Sequence, residues 1–148
     1  MAVPYRLLTF YPPFIGAGIR VRADDADPYT MTSSMALRWF NRNTWGTHFG
    51  GSLYAMTDPF FALILIRTLG PGYSVWDKAA CVTFVRPGVG TVKAVFHIER
   101  EEVEEIRRRV DAGGVAEPTY EVDVMNEASK VVAHVQKVLC VRPLATRP

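Results

Sequence analysis

The chain reads as an α+β fold in which one antiparallel β-sheet wraps around a long central α-helix. Three observations carry this reading. Strand-like and helix-like periods follow the order two strands, helix, two strands, helix, two strands. The first helix is apolar on most of its circumference, so a sheet or a partner must bury it. Antiparallel-looking strands flank it in sequence, which suggests one sheet folded around it. The 148 residues suffice for one core, and no repeat or linker divides them, so residues 1–148 are read as a single domain.

Residues 1–16, punctuated by Tyr11-Pro12-Pro13, read as an N-terminal arm or short helix. Ala17, Ile19, Val21 and Ala23 then alternate with Gly18, Arg20, Arg22 and Asp24, the period of a half-buried strand. After Asp27-Pro28, the apolar odd positions Tyr29, Met31, Met35, Leu37 and Trp39 predict a second strand. A polar loop over 41–49 feeds the central helix, predicted from about 50 to 69 and stopped by Gly70-Pro71-Gly72. Only Ser52, Thr57, Asp58 and Arg67 strongly interrupt its apolar surface.

The continuous apolar run 79–85 predicts a central strand, and Pro87-Gly88-Val89-Gly90 a turn into a strand over 91–99. Between 100 and 112, Val103, Ile106 and Val110 form an apolar helical stripe. Glu104 with Arg108 and Glu105 with Arg109 are spaced as i,i+4 pairs on its solvated face, and Gly113-Gly114 is a stop. Strands over 119–125 and 131–142 follow, joined by a hairpin-like loop.

Composition narrows the function classes. A formal charge of +2 does not suggest nucleic acid, and no basic start followed by a long apolar core marks a secretory signal. The run 60–69 is shorter than the roughly 20 residues that span a bilayer. A soluble cytoplasmic protein is expected. Cys81 and Cys140 lie in apolar strands, where cysteine is a small buried hydrophobe. Nothing has metal-ligand spacing, so neither a metal nor a cofactor is expected.

The densest cluster of chemistry-bearing residues is Asn43-Thr44-Trp45-Gly46-Thr47-His48-Phe49-Gly50-Gly51, with Asp58 beyond it. Carbonyl chemistry needs donors for an oxygen that gains charge, and a carboxylate that attacks or deprotonates water. Unpaired N–H groups at a helix start supply the first requirement, and glycines let a substrate approach the backbone. Seven residues of helix rise roughly 10.5 Å, so Gly51 and Asp58 share a face but not a carbonyl. Antiparallel helices from two chains would bring the glycines of one to Asp58 of the other, which predicts a homodimer with composite sites. The other reading of Asp58-Pro59 is a helix start, with Asp58 as N-cap and Gly50-Gly51 in a loop.

The element order, with Asn43, Gly46, His48, Gly50-Gly51 and Asp58, resembles the hotdog-fold acyl-CoA thioesterases. The resemblance extends to Thr83-Phe84-Val85-Arg86-Pro87-Gly88 and covers most of the chain. The run Gly46-Thr47-His48-Phe49-Gly50-Gly51-Ser52-Leu53-Tyr54-Ala55-Met56-Thr57-Asp58-Pro59-Phe60, with Val75-Trp76-Asp77-Lys78-Ala79, is similar to a poorly characterised branch of that superfamily. One departure is Phe49, which separates His48 from the glycines that directly follow the histidine in the commoner pattern.

The resemblance implies Gly50 or Gly51 as oxyanion donor, Asp58 as base or nucleophile, and Asn43 or His48 holding the thioester or water. Phe49, Phe61 and Arg86 are expected at the substrate, with Phe60, Leu63 and Ile64 lining an acyl pocket between subunits. The implied partners are an acyl-CoA or acyl-carrier thioester and a second copy of the chain, as a dimer or a dimer of dimers. Arg38, Arg42 and Arg142 are further phosphate candidates, set against a solvated surface. Asp77 and Lys78 read as an ion pair or sheet-edge charges, or as substrate groups. A non-catalytic acyl-CoA-binding module and a hydratase or dehydratase are the alternatives.

Overall fold

A computed structural model describes residues 5–144; residues 1–4 of the expected N-terminal arm lie outside it. A 3₁₀ turn at Tyr5–Phe10 leads into α1 (Pro12–Ala17), β1 (Ile19–Ala23) and β2 (Thr30–Ala36). The central helix comes as two pieces, α2 (Gly50–Ala55) and α3 (Phe60–Leu69). β3 (Tyr73–Phe84), β4 (Thr91–His97), α4 (Arg100–Asp111), β5 (Thr119–Asn126) and β6 (Val131–Pro143) complete the chain. All strand pairs are antiparallel, in one six-stranded sheet of order β1-β2-β4-β5-β6-β3.

The inner face of this sheet carries Ile19, Val21, Met31, Met35, Val92, Ala94, Phe96, Val122, Val124, Val135, Leu139 and Val141, all buried. α3 fills the concavity. Phe60 stacks on Phe14 and Phe96, at 6.1 and 4.5 Å between ring centroids, and Phe61 stacks on Tyr120 at 4.7 Å. Burial of a ring of this size contributes roughly 2–3 kcal/mol, so these contacts anchor the helix. Counted through its kink, Gly50–Leu69 has the length and mean hydropathy, 1.2, of a membrane-spanning helix. The buried positions Phe60, Phe61, Ile64 and Leu65 account for that apolarity by packing inside the sheet.

The break between α2 and α3 has a covalent cause. Pro59 has no N–H to donate back along the helix, and the carbonyls around it find other donors. Asp58 N–H reaches Ala55 O at 3.3 Å, Thr57 Oγ1 donates to Tyr54 O at 2.8 Å, and Ser33 Oγ of β2 donates to Met56 O at 2.6 Å. Lys137 of β6 donates to Asp58 O. The sheet therefore holds the kink through polar residues at inward positions of two strands.

Several expectations change. β2 ends at Ala36, and Trp39 is 81% exposed instead of continuing the strand. The apolar run at 79–85 belongs to the edge strand β3 rather than to a central one; Cys81 is exposed there, while Cys140 is buried. On α4 the stripe of Val103, Ile106 and Val110 is buried as expected, but the ion pairs are i,i+3, Glu104 with Arg107 and Glu105 with Arg108. Arg107 is also not simply solvated, since it donates to Thr68 O and Leu69 O and so caps the C-terminus of α3.

Candidate active site

The loop before α2 is built around the Asn43 side chain. Its Oδ1 accepts from the N–H groups of Trp45 and Thr47 at 3.0 and 3.1 Å, and its Nδ2 donates to Thr47 Oγ1 at 2.9 Å and His48 O at 3.3 Å. This is the local turn chemistry that favours asparagine in loops. Gly46 closes the turn with a φ of 78°, which glycine adopts without strain. Asn43 thus organises the loop.

His48 is buried and ties the loop to the turn before β4. Its N–H donates to Gly88 O at 2.9 Å, and its Nε2 lies 3.0 Å from Gly90 O. A carbonyl only accepts, so Nε2 carries the proton and Nδ1 is the unprotonated nitrogen. That Nδ1 is buried without a partner among the described residues. Burial pushes the His48 pKa down, partly offset by the bond to Gly90, and favours the neutral ring.

The Asn43 loop, the start of α2 and the end of β3 enclose an open cleft of about 650 Å³. Asn43, Trp45, His48, Gly50, Phe84 and Arg86 are among its lining residues. α2 starts without a side-chain cap, and the first backbone donors to find an acceptor, Ser52 and Leu53, both reach Phe49 O. The N–H groups of Gly50 and Gly51 precede them and have no acceptor among the described residues, as expected of a first turn. Aromatic rings lie against both glycines. A Cβ on Gly51 would come 2.5 Å from the Phe49 ring, and one on Gly50 would come 3.2 Å from the Phe84 ring.

Asp58 sits in the kink and caps nothing: α3 begins after Pro59 with no side-chain cap. A helix does begin just past Pro59, as the helix-start reading has it, but Asp58 is not its cap and Gly50-Gly51 open α2 instead of lying in a loop. Asp58 Oδ1 accepts from Tyr54 Oη at 2.9 Å and from Lys137 Nζ at 3.0 Å, while the side chain is 49% exposed on its other side. The same ammonium donates to Asp77 Oδ2 of β3 at 2.6 Å. Burial raises the Asp77 pKa, against the lowering effect of Lys137. Burial, then the bond to Asp58, pushes the Tyr54 hydroxyl up to about 12.

Gly50, His48, Asn43 and Arg86 therefore share the cleft, with Phe49 over Gly51 at its edge, and Asp58 lies beyond the far end of α2. Phe61 does not join them, because at 2% exposure its ring is part of the core, as are Phe60 and Ile64; Leu63 is partly buried against it. Asp77 and Lys78 do not pair with each other, and Lys78 bridges instead to Glu117 at 2.8 Å. Arg142 lies over the Trp76 ring at 4.5 Å. Sequence reading missed Lys137 and Tyr54. Lys137 stands at an inward position of β6 between buried Val135 and Leu139, and a lysine in the apolar phase of an alternating strand was the available signal.

The chain belongs to the family described as a domain of unknown function (DUF4442), which matches residues 3–141. No curated protein matches it. Solved structures with the same fold include a Pseudomonas aeruginosa protein of unknown function described as a "probable thioesterase". It is 19% identical, with a TM-score of 0.87 over 97% of this chain and 99% of that one. A Haemophilus influenzae thioesterase is 16% identical, with a TM-score of 0.71 over 99% of this chain and 96% of that one. The E. coli PaaI protein, from the phenylacetic acid degradation operon, is 18% identical, with a TM-score of 0.61 over 95% and 91%. The six-stranded sheet curled around a central helix is the hotdog fold.

Proposed function

We propose that this DUF4442 member is a thioester hydrolase acting on acyl-CoA or acyl-carrier substrates. The observation that carries the proposal is the state of Asp58. One oxygen is tethered by a phenol and a buried ammonium while the side chain stays half exposed, which suits a general base or nucleophile. The cleft at the start of α2 supplies the complementary half, two unpaired N–H groups beside apolar rings. A thioesterase and a protein described as a "probable thioesterase", both of this fold, support the same reaction class.

A homodimer completes the site. Gly51 and Asp58 stand about two helical turns apart, roughly 10 Å, too far to serve one carbonyl. β3 supplies the joining surface. It is a 12-residue apolar edge strand with most of its residues exposed, and a long apolar edge is a template for pairing with another strand. Pairing β3 with its copy would also cover the apolar run that reads in sequence as a central strand. Lysine substitutions at the exposed edge positions Ala80 and Cys81 should yield monomers in sedimentation and abolish turnover; a fully active monomer would refute the composite site.

Thiol release from a panel of acyl-CoAs tests the chemistry. Asp58→Asn should lower kcat on the order of 100-fold or more, and undiminished hydrolysis by the variant would discard Asp58. One observation favours a second reading, an acyl-CoA-binding module: the Phe49 and Phe84 rings lie against the side of Gly51 and Gly50 where a Cβ would stand. Saturable acyl-CoA binding without thiol release from the wild type would select that reading.

A further inference from the structure

Lys137 is an unexpected residue for its place. Its side chain is fully buried on the inner face of β6, where its neighbours in phase are Val135, Leu139 and Val141. An ammonium has three protons to donate, and here three acceptors meet it: Asp58 O, Asp58 Oδ1 and Asp77 Oδ2. Its Nζ also lies 5.5 Å from the centre of the Tyr54 ring. Burying an ion pair is a weak source of stability, and apolar residues of similar volume often do as well or better. Packing alone therefore gives no reason for lysine here.

The geometry around Asp58 gives one. Oδ1 is held from two directions, by Lys137 and Tyr54, while Oδ2 has no protein partner among the described residues. One tethered and one free oxygen is the arrangement a directed carboxylate needs. The main-chain bond from Lys137 to Asp58 O fixes the backbone of the same residue.

We propose that Lys137 is a positioning residue: its ammonium orients Asp58, and Asp77 competes for that charge and sets the share Asp58 receives. This rests on the thioesterase reading in taking Asp58 as the reacting group, but the charge coupling is measurable without turnover. The groups facing the ammonium are Asp58 and Tyr54 from the helix and Asp77 from β3. Tyr120, its register partner on β5, carries a buried hydroxyl with no hydrogen-bond partner among the described residues, its pKa raised by burial first and by Glu102 of α4 second.

Two substitutions should act with opposite sign. In Lys137→Met the two carboxylates face each other without a cation, which disfavours ionisation; in Asp77→Asn the ammonium serves Asp58 alone. Carboxyl ¹³C NMR of the intact protein, with Asp58 assigned through Asp58→Asn, should show the Asp58 midpoint rising by about one unit or more in the first variant and falling in the second. The acidic limb of the kcat profile for acyl-CoA hydrolysis should move the same way, with the loss in kcat rather than in KM. A lysine that merely supported the fold would change stability without opposite shifts. Unmoved midpoints, or midpoints that move together, overturn the proposal, and Asp77→Asn alone suffices for this if Lys137→Met does not fold. Opposite shifts in a protein that hydrolyses no thioester would uphold the positioning and remove the thioesterase reading; Asp58-dependent hydrolysis without shifts would do the reverse.

Discussion

The start of α2 and the kink that ends it are built from opposite materials. At the start two unpaired backbone amides lie among aromatic rings, with Asn43, His48 and Arg86 along the cleft, and Phe49 and Phe84 are more than half exposed. At the kink an ammonium, two carboxylates and a phenol interlock, with the lysine wholly buried. Exposed rings can swing at small cost, whereas a buried charge stripped of its partner has nowhere to go. The first environment should therefore tolerate changes that the second does not.

The largest effect that would test this contrast is on stability. Lys137→Met should destabilise the protein on the order of 3 kcal/mol in urea unfolding, because it strands the largely buried Asp77 and frees the Asp58 carbonyl. A loss under 1 kcal/mol would show that the kink is as adaptable as the cleft. An intermediate effect is expected from pH. The folded state lowers the His48 pKa, so His48 contributes stability that is present above its ordinary value near 6.5 and is lost as pH falls through the lower folded value. Thermal melts from pH 7.5 to 5 should show this loss in the wild type and less of it in His48→Gln, a difference on the order of 2 °C.

The smallest effect is at the glycines. Gly51→Ala places its Cβ against the Phe49 ring, and since that ring can rotate away, stability should change by less than about 1 kcal/mol. Hydrolysis should fall more than stability does, because the methyl group sits beside the amide in question. If Phe49→Ala restores the stability of Gly51→Ala but not its turnover, the cleft is soft in packing and strict in chemistry. Equal recovery of both would erase that distinction.

Much of the fold was legible because periodicity is local. The strands 19–23, 91–97 and 119–126 and the stripe of α4 lie where alternation and the helical period put them. The separation of Gly51 from Asp58 was also legible, since the first stands at the start of α2 and the second beyond its end. What was not visible depended on partners far along the chain. Lys137 meets Asp58 and Asp77 across 79 and 60 positions, and nothing in a single strand announces such a meeting. Phe61 was misjudged because an apolar helix position reads the same whether it faces a core or a ligand. β3 was misplaced for a related reason: its composition is that of a covered strand, and within one chain only one side of it is paired.

β3 also contains an irregularity between Asp77 and Ala79, where Lys78 has no opposite residue on β6 and the register shifts by one. Before it Tyr73, Val75 and Asp77 face inward, and beyond it Val82 does. A surplus residue at that point makes the strand unequal in its tolerance of length changes. Deleting Lys78 would leave a continuous ladder with every other side chain still on its present face, at the cost of the bridge to Glu117 and of the local bend that presents Asp77. A deletion anywhere else in the strand would turn one flank inside out. The position best able to lose a residue is thus immediately beside one of the two carboxylates that share the buried charge.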